Sequence, residues 1–292
     1  VRVTFSQGGN FEGGRVRRRG RAGGVAAGGG IVGLIALAIY LFTGQDLSPV
    51  LQGAQQGDGG GQVTEVGECT VEQANTDPVC RFSATLQSLD AYWATAVPQG
   101  VTFRAPGADE FTGGVSTGCG QASSATGPFY CPPDQRIYLD ITFFETLQQQ
   151  FGAQGGPLAE MYVYAHEYGH HVQNLTGVFD RADRSGGGAE SDSVRVELQA
   201  DCYAGMWAGA ATETPRPGTD TPFLEPITAE QLAQALDAAA AVGDDHIQQQ
   251  SGGGENPDTW THGSSEQRQR WFTTGYEQGS LAACDTFATD SL

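Results

Sequence analysis

The 292-residue chain has no lysine; its fifteen basic residues are all arginine, against 34 acidic ones. A net charge of −19 excludes nucleic-acid binding through a basic surface. Charged residues make up only 17% of the chain, too sparse for a coiled coil. The 43 glycines follow no three-residue period, which excludes collagen. No C-x2-C pair occurs among the six cysteines, which argues against a zinc site built from thiolates.

The charge that is present is unevenly placed. Six arginines (2, 15, 17, 18, 19 and 21) precede residue 22, with Glu12 the one acid among them; the rest of the chain has nine arginines against 33 acids. Residues 22–42 carry no charge and become strongly apolar from Ile31 onwards. Helical, that stretch spans about 30 Å of hydrocarbon. With arginines just before it, the expectation is a single-pass anchor with a cytoplasmic N-terminus and the bulk of the chain outside. A cleaved signal peptide is the alternative, but no A-x-A-like site follows Phe42. The expected divisions are a basic cytoplasmic segment (1–21), an anchor (22–43), a flexible Gly/Gln-rich stalk (44–67) and an extracytoplasmic domain (68–292).

Within that domain, capping signals and helical spacing alternate with short strand-like runs. Thr70-x-x-Gln73 and Asp77-Pro78 open helices, and Phe82, Leu86, Leu89 and Trp93 continue the second up to Pro98. Strands are expected at 101–103, around Val115 and at 136–140, and a helix from Phe143 to Gly152. Further helices are expected at 157–175, 194–211, 228–242 and from Ser264. The fold class is α+β, predominantly helical, with a small sheet. Loop-closure entropy favours pairing near cysteines, Cys69 with Cys80 and Cys119 with Cys131, leaving Cys202 for Cys284.

The chemistry is concentrated in Ala165-His166-Glu167-Tyr168-Gly169-His170. On a helix, residues four apart stack on one face, so His166 and His170 can grip one zinc ion, with Glu167 beside them to take a proton from the water it activates. His171 points about 100° away and is not expected to be a ligand. Glu197 and Asp201, also four apart, supply a third ligand and an acceptor for a ligand imidazole's N–H. Glu190 and Asp192 are weaker alternatives, on a glycine-rich loop. His262, just before a capped helix, is the candidate donor to a developing oxyanion. His246 is expected to be structural and Arg268 to pair with an acid. The 136–140 strand, were it at a sheet edge, could pair with an extended peptide.

The chain resembles the predicted neutral zinc metallopeptidases, a bacterial family of membrane-anchored proteins. The likeness runs through Gly127-Pro128-Phe129-Tyr130-Cys131-Pro132, Tyr138-Leu139-Asp140, the block from His166 to Asn174, Ser193 to Cys202, Gly243-Asp244-Asp245, Thr261 to Arg268 and Cys284-Asp285-Thr286-Phe287. It implies a zincin-like domain, one Zn²⁺ held by His166, His170 and a later acid, and a peptide or protein substrate. The Glu197–Asp201 block is similar to the third-ligand helix of other Glu-ligated zinc peptidases. Two other readings stand beside zinc-dependent peptide hydrolysis: a non-catalytic zinc-binding envelope scaffold and a hydrolase of a non-peptide cell-wall amide.

Overall fold

A computed structural model describes residues 4–20, 63–252 and 254–292. Among these the strands are β1 (Asn10–Phe11), β2 (Arg17–Arg19), β3 (Val63–Glu65), β4 (Cys69–Thr70), β5 (Gly107–Glu110), β6 (Gly114–Thr117), β7 (Gly120–Ser123), β8 (Phe129–Cys131) and β9 (Arg136–Leu139). The helices are α1 (Val71–Thr76), α2 (Pro78–Ala96), α3 (Phe143–Gln149), α4 (Pro157–Leu175), α5 (Asp192–Ala210), α6 (Ala229–Ala241), α7 (Asp244–Gln250) and α8 (Ser265–Gln278). The mixed α+β class agrees with expectation.

Helix starts follow local chemistry. Thr70, Thr228 and Ser264 each accept from the N–H three residues on, where a glutamine reaches back, so α1, α6 and α8 open with capping boxes. Asp77 caps α2, and Pro78 and Pro157 sit in first turns where no N–H is needed. The 101–103 segment is not a strand, α3 stops three residues before Gly152, and α7 was not anticipated. Its sequence, DDHIQQQ, has one apolar residue and so no helical stripe.

The main sheet has the order β3-β2-β5-β9-β8. β2, β5 and β9 run parallel; β3 and β8 close the two edges antiparallel. Side chains alternate across it. Ile137 and Leu139 enter the large core under the helices, while Phe129 and Tyr138 join Phe111, Val115 and Ala122 in a second cluster.

The basic segment does not stand apart from this domain. β2 is an inner strand, and Asp109, wholly buried, takes Arg17 (2.7 Å), Arg19 (2.7 Å) and Arg136 (3.2 Å), while Arg18 pairs with Glu110 (3.0 Å). Arg19 faces Val63 in antiparallel register, so the last residues of the expected stalk are a strand as well. Residues 17–19 of the expected basic segment and 63–65 of the expected stalk are therefore strands of the same sheet as β5, β9 and β8. The anchor expected at 22–43 lies outside the described residues. Among those described, no helix is long and apolar enough to cross a membrane.

The helices α4, α5 and α8 pack almost backbone to backbone. A Cβ on Gly275 would overlap the Cys202 carbonyl, and one on Gly205 the Phe272 carbonyl. All three expected disulfides form: Cys69–Cys80, Cys119–Cys131 and Cys202–Cys284.

Candidate metal centre

α4 carries two stripes. His166, His170 and Gln173 (i, i+4, i+7) face α5; Glu167, His171 and Asn174, one position on, face β8. Gly169 lies between them, its missing Cβ 3.0 Å from Ala200 Cα and O, which lets α5 approach closely.

On the first stripe, the His166 and His170 rings stand 4.7 Å apart. His166 Nδ1 lies 2.8 Å from Asp201 Oδ1 and His170 Nδ1 lies 2.8 Å from Gln173 Oε1. Both partners are acceptors, so in the neutral ring each Nδ1 carries the proton and each Nε2 presents its lone pair. The Nε2 atoms lie 3.2 Å and 3.4 Å from Glu197 Oε2 and Oε1. One ligand atom from each of the three residues lies within 4.8 Å of the others, and all three residues are buried. Glu197 Oε1 is buried without a hydrogen bond. Two imidazole nitrogens and a carboxylate, one of whose buried oxygens is orphaned, fit a tetrahedral zinc site with one open position. The expected ligand set, His166, His170 and Glu197, is thus brought together.

Asp201 is more than a partner for one imidazole. It also accepts from Tyr162 Oη (2.6 Å), Arg268 Nε (2.9 Å) and Arg268 Nη2 (3.0 Å). Burial pushes its carboxyl up, but Arg268 and His166 outweigh that and hold it below the usual range. Burial likewise opposes the charged form of His166, yet Asp201 and Glu197 raise it to about 10. The same concentration of negative charge favours a divalent cation. Gln173 was not foreseen. Its amide donates to Val196 O (2.7 Å) and Gln199 Oε1 (3.1 Å), and Gln199 donates to Cys284 O (3.1 Å). The Cys202–Cys284 disulfide therefore sits at the end of the chain of contacts holding His170. The +3 spacing from His170 to Gln173 was the available signal.

Glu167 is buried and is not in the ligand set. Burial, reinforced by Glu197, raises its carboxyl above the ordinary value; the two imidazoles and the Tyr130 main-chain N–H pull it back only in part. His262 precedes α8. Its Nδ1 is 3.2 Å from Asp244 Oδ1, and Asp244 Oδ2 accepts from the N–H groups of Thr261, His262 and Gly263 at 2.7, 2.6 and 3.0 Å. Burial disfavours its charged form, but Asp244 first and Glu197 after it raise the imidazole. The loop anchored by Asp244 thus places His262 within the field of the ligand carboxylate.

The weaker candidates lie elsewhere. Glu190 pairs with Arg195 (3.3 Å), and Asp192 accepts from the Asp183 N–H. His246 bonds to Phe151 O (2.8 Å), as a structural residue does. The Arg136–Leu139 strand is not an edge; β5 and β8 flank it.

A family described as “Putative neutral zinc metallopeptidase” matches residues 4–287. An uncharacterized protein of Mycobacterium tuberculosis, Rv2575, is 52% identical over 229 residues, covering 78% of this chain and 77% of its own. The uncharacterized YpfJ of Escherichia coli K12 is 36% identical over 266 residues, 89% of this chain and 86% of its own. No solved structure matches.

Proposed function

Because this chain belongs to the neutral zinc metallopeptidase family, we propose that it hydrolyses peptide bonds, with Glu167 as general base. The observation that carries this is a fourth buried residue beside three convergent ligand atoms. Holding a metal does not need Glu167; activating water does. The metal-bearing helices beside a small mixed sheet are read as a zincin-like arrangement.

Zinc bound there supplies a Lewis acid, which makes water acidic and polarises a carbonyl. His166 and His170 face it through Nε2 because Asp201 and Gln173 commit their Nδ1 protons. Glu167, raised toward working pH by burial, takes the proton of the attacking water and passes it to the leaving amine. His262, held by Asp244, donates to the oxyanion that develops at the scissile carbonyl. Three disulfides support an oxidising, extracytoplasmic location.

The test compares wild type with Glu167→Gln on a broad peptide library, with zinc measured in both. The expected result is one zinc in each and cleavage by wild type alone. Zinc in both with cleavage by neither would make the protein a metal-binding module.

A further inference from the structure

The segment after α4 folds back towards the metal centre and brings two residues that the proposed chemistry leaves unused. α4 ends at Leu175. Gly177 takes a left-handed turn (φ +71°), and the Val178 N–H then donates to Gln173 O at 2.9 Å. Phe179, half-buried, is thereby laid against the metal-bearing helix, its ring centroid 6.2 Å from that of His170. The guanidinium carbon of Arg184 lies over the same ring, 4.7 Å from its centroid. Both chain neighbours of Arg184 are pinned. The Asp183 N–H donates to Asp192 Oδ2 (2.8 Å) in the first turn of α5, the helix of Glu197. Asp183 Oδ1 accepts from the Ser185 N–H (3.1 Å) and hydroxyl (2.6 Å). Gly188 N–H donates to Trp260 O (2.8 Å), which ties the segment to the loop of His262.

This places a cation where the rest of the molecule has little to offer an anion. From residue 22 on, nine arginines stand against 33 acids. Arg268 is buried against Asp201, and Arg195 holds the Thr286 and Thr289 carbonyls of the C-terminal tail. Arg184 is half-buried, and burial works against its charge; Asp180 and, from the ligand set, Glu197 support it. A guanidinium over a ring keeps its N–H donors in its own plane, where they match the two oxygens of a carboxylate. The two ring contacts put it within about 11 Å of the His170 imidazole, about three residues of extended chain. We propose that Arg184 is a specificity-determining residue that binds a substrate carboxylate within about three residues of the scissile bond. That carboxylate belongs to an Asp or Glu side chain or to the substrate's C-terminus. The role rests on the peptidase reading; the binding beneath it can be read without cleavage.

The experiment uses the full zinc-loaded chain and a peptide library in which Glu, Gln or Lys occupies each position in turn, with free or amidated C-termini. Wild type is expected to favour Glu over Gln at one position, or a free over an amidated end, by about 10- to 100-fold in kcat/KM, what hydrogen bonds to a charged group are worth. The first result identifies a side chain and the second the chain end. Arg184→Ala should bring that ratio close to one with zinc retained. Arg184→Lys should keep part of it, which covers the case in which the alanine variant fails to fold. Arg184→Glu should reverse it, a change that a merely structural arginine would not produce. The same ratios are read as dissociation constants on zinc-loaded Glu167→Gln, which binds without cutting. Wild type that cuts all the peptides alike, or an Arg184→Ala protein with the wild-type ratio, overturns the proposal and leaves the peptidase reading intact. Wild type that cuts nothing, while Glu167→Gln binds carboxylate peptides more tightly than Glu167→Gln/Arg184→Ala does, sinks the peptidase reading and leaves the carboxylate site standing. Neither cutting nor Arg184-dependent binding removes both.

Discussion

Replacing Arg268 by methionine would leave Asp201 as a buried carboxylate without its cation. Arg268 is 3% exposed and Asp201 fully buried, and two of the arginine's hydrogen bonds end on that carboxylate. Breaking a buried pair from one side costs about 3–5 kcal/mol. The damage should also reach the metal. Asp201 holds the Nδ1 proton of His166, and such outer partners are worth about 10- to 100-fold in metal affinity. Urea unfolding of the metal-free protein gives the first quantity, and competition with a chromophoric chelator gives the second. The double variant Arg268→Met/Asp201→Asn separates them. With both charges gone, most of the stability should return, while zinc stays weak because an amide oxygen replaces the anion behind His166. A single variant that loses under about 1 kcal/mol, or one that binds zinc as wild type does, would refute the view that Arg268 acts through Asp201.

Gly169→Val puts a branched side chain where a Cβ already lies 3.0 Å from Ala200; it should cost about 1–3 kcal/mol and weaken zinc binding by parting α4 from α5, read by urea midpoint and zinc titration. Cys202→Ser/Cys284→Ser opens a link across 82 residues, about 4.5 kcal/mol in the chain-entropy account, against about 3 kcal/mol for either shorter disulfide. Its zinc affinity should fall too, since Gln199 leans on the Cys284 carbonyl; unchanged affinity would disconnect the tail from the site. Free zinc at 100 times its dissociation constant should stabilise the folded chain by about 2.7 kcal/mol, seen as a rise in Tm that a chelator reverses. Burial lowers the His171 imidazole from 6.5 to about 4, so the unfolded chain takes up its proton first as the pH falls. Stability should therefore be intact above about pH 6.5 and lose about 3 kcal/mol between there and pH 4, a slope that denaturation of His171→Asn should reduce.

The metal centre was legible because its spacing is local. His166 and His170, and Glu197 and Asp201, are each one helical turn apart, and a turn is the distance sequence periodicity resolves best. The second stripe was equally periodic, yet His171 and Asn174 acquire meaning only from Tyr130, more than forty residues earlier. β2 was hidden for the same reason. Three consecutive arginines read as a solvated charge run until Asp109 and Glu110, some ninety residues later, are placed against them. The interior position of β9 could not be read from RIYL, since alternation shows a strand's faces and not its neighbours. Gly205 and Gly275 look like helix-weakening residues in sequence; the contact of α5 with α8 turns them into a requirement.

The pairing of Arg19 with Val63 bears on topology. Neighbouring strands lie about 4.8 Å apart, while the hydrocarbon layer of a bilayer is about 30 Å thick. No bilayer can pass between β2 and β3, so Arg19 and Val63 lie on the same side of any lipid. Arg15 extends the bond to the chemistry: it holds Asp90 by two contacts, and Asp90 takes the hydroxyl of Tyr168 on the metal-bearing helix. Arg15, Arg17, Arg18 and Arg19 thus belong to the same folded body as the three disulfides.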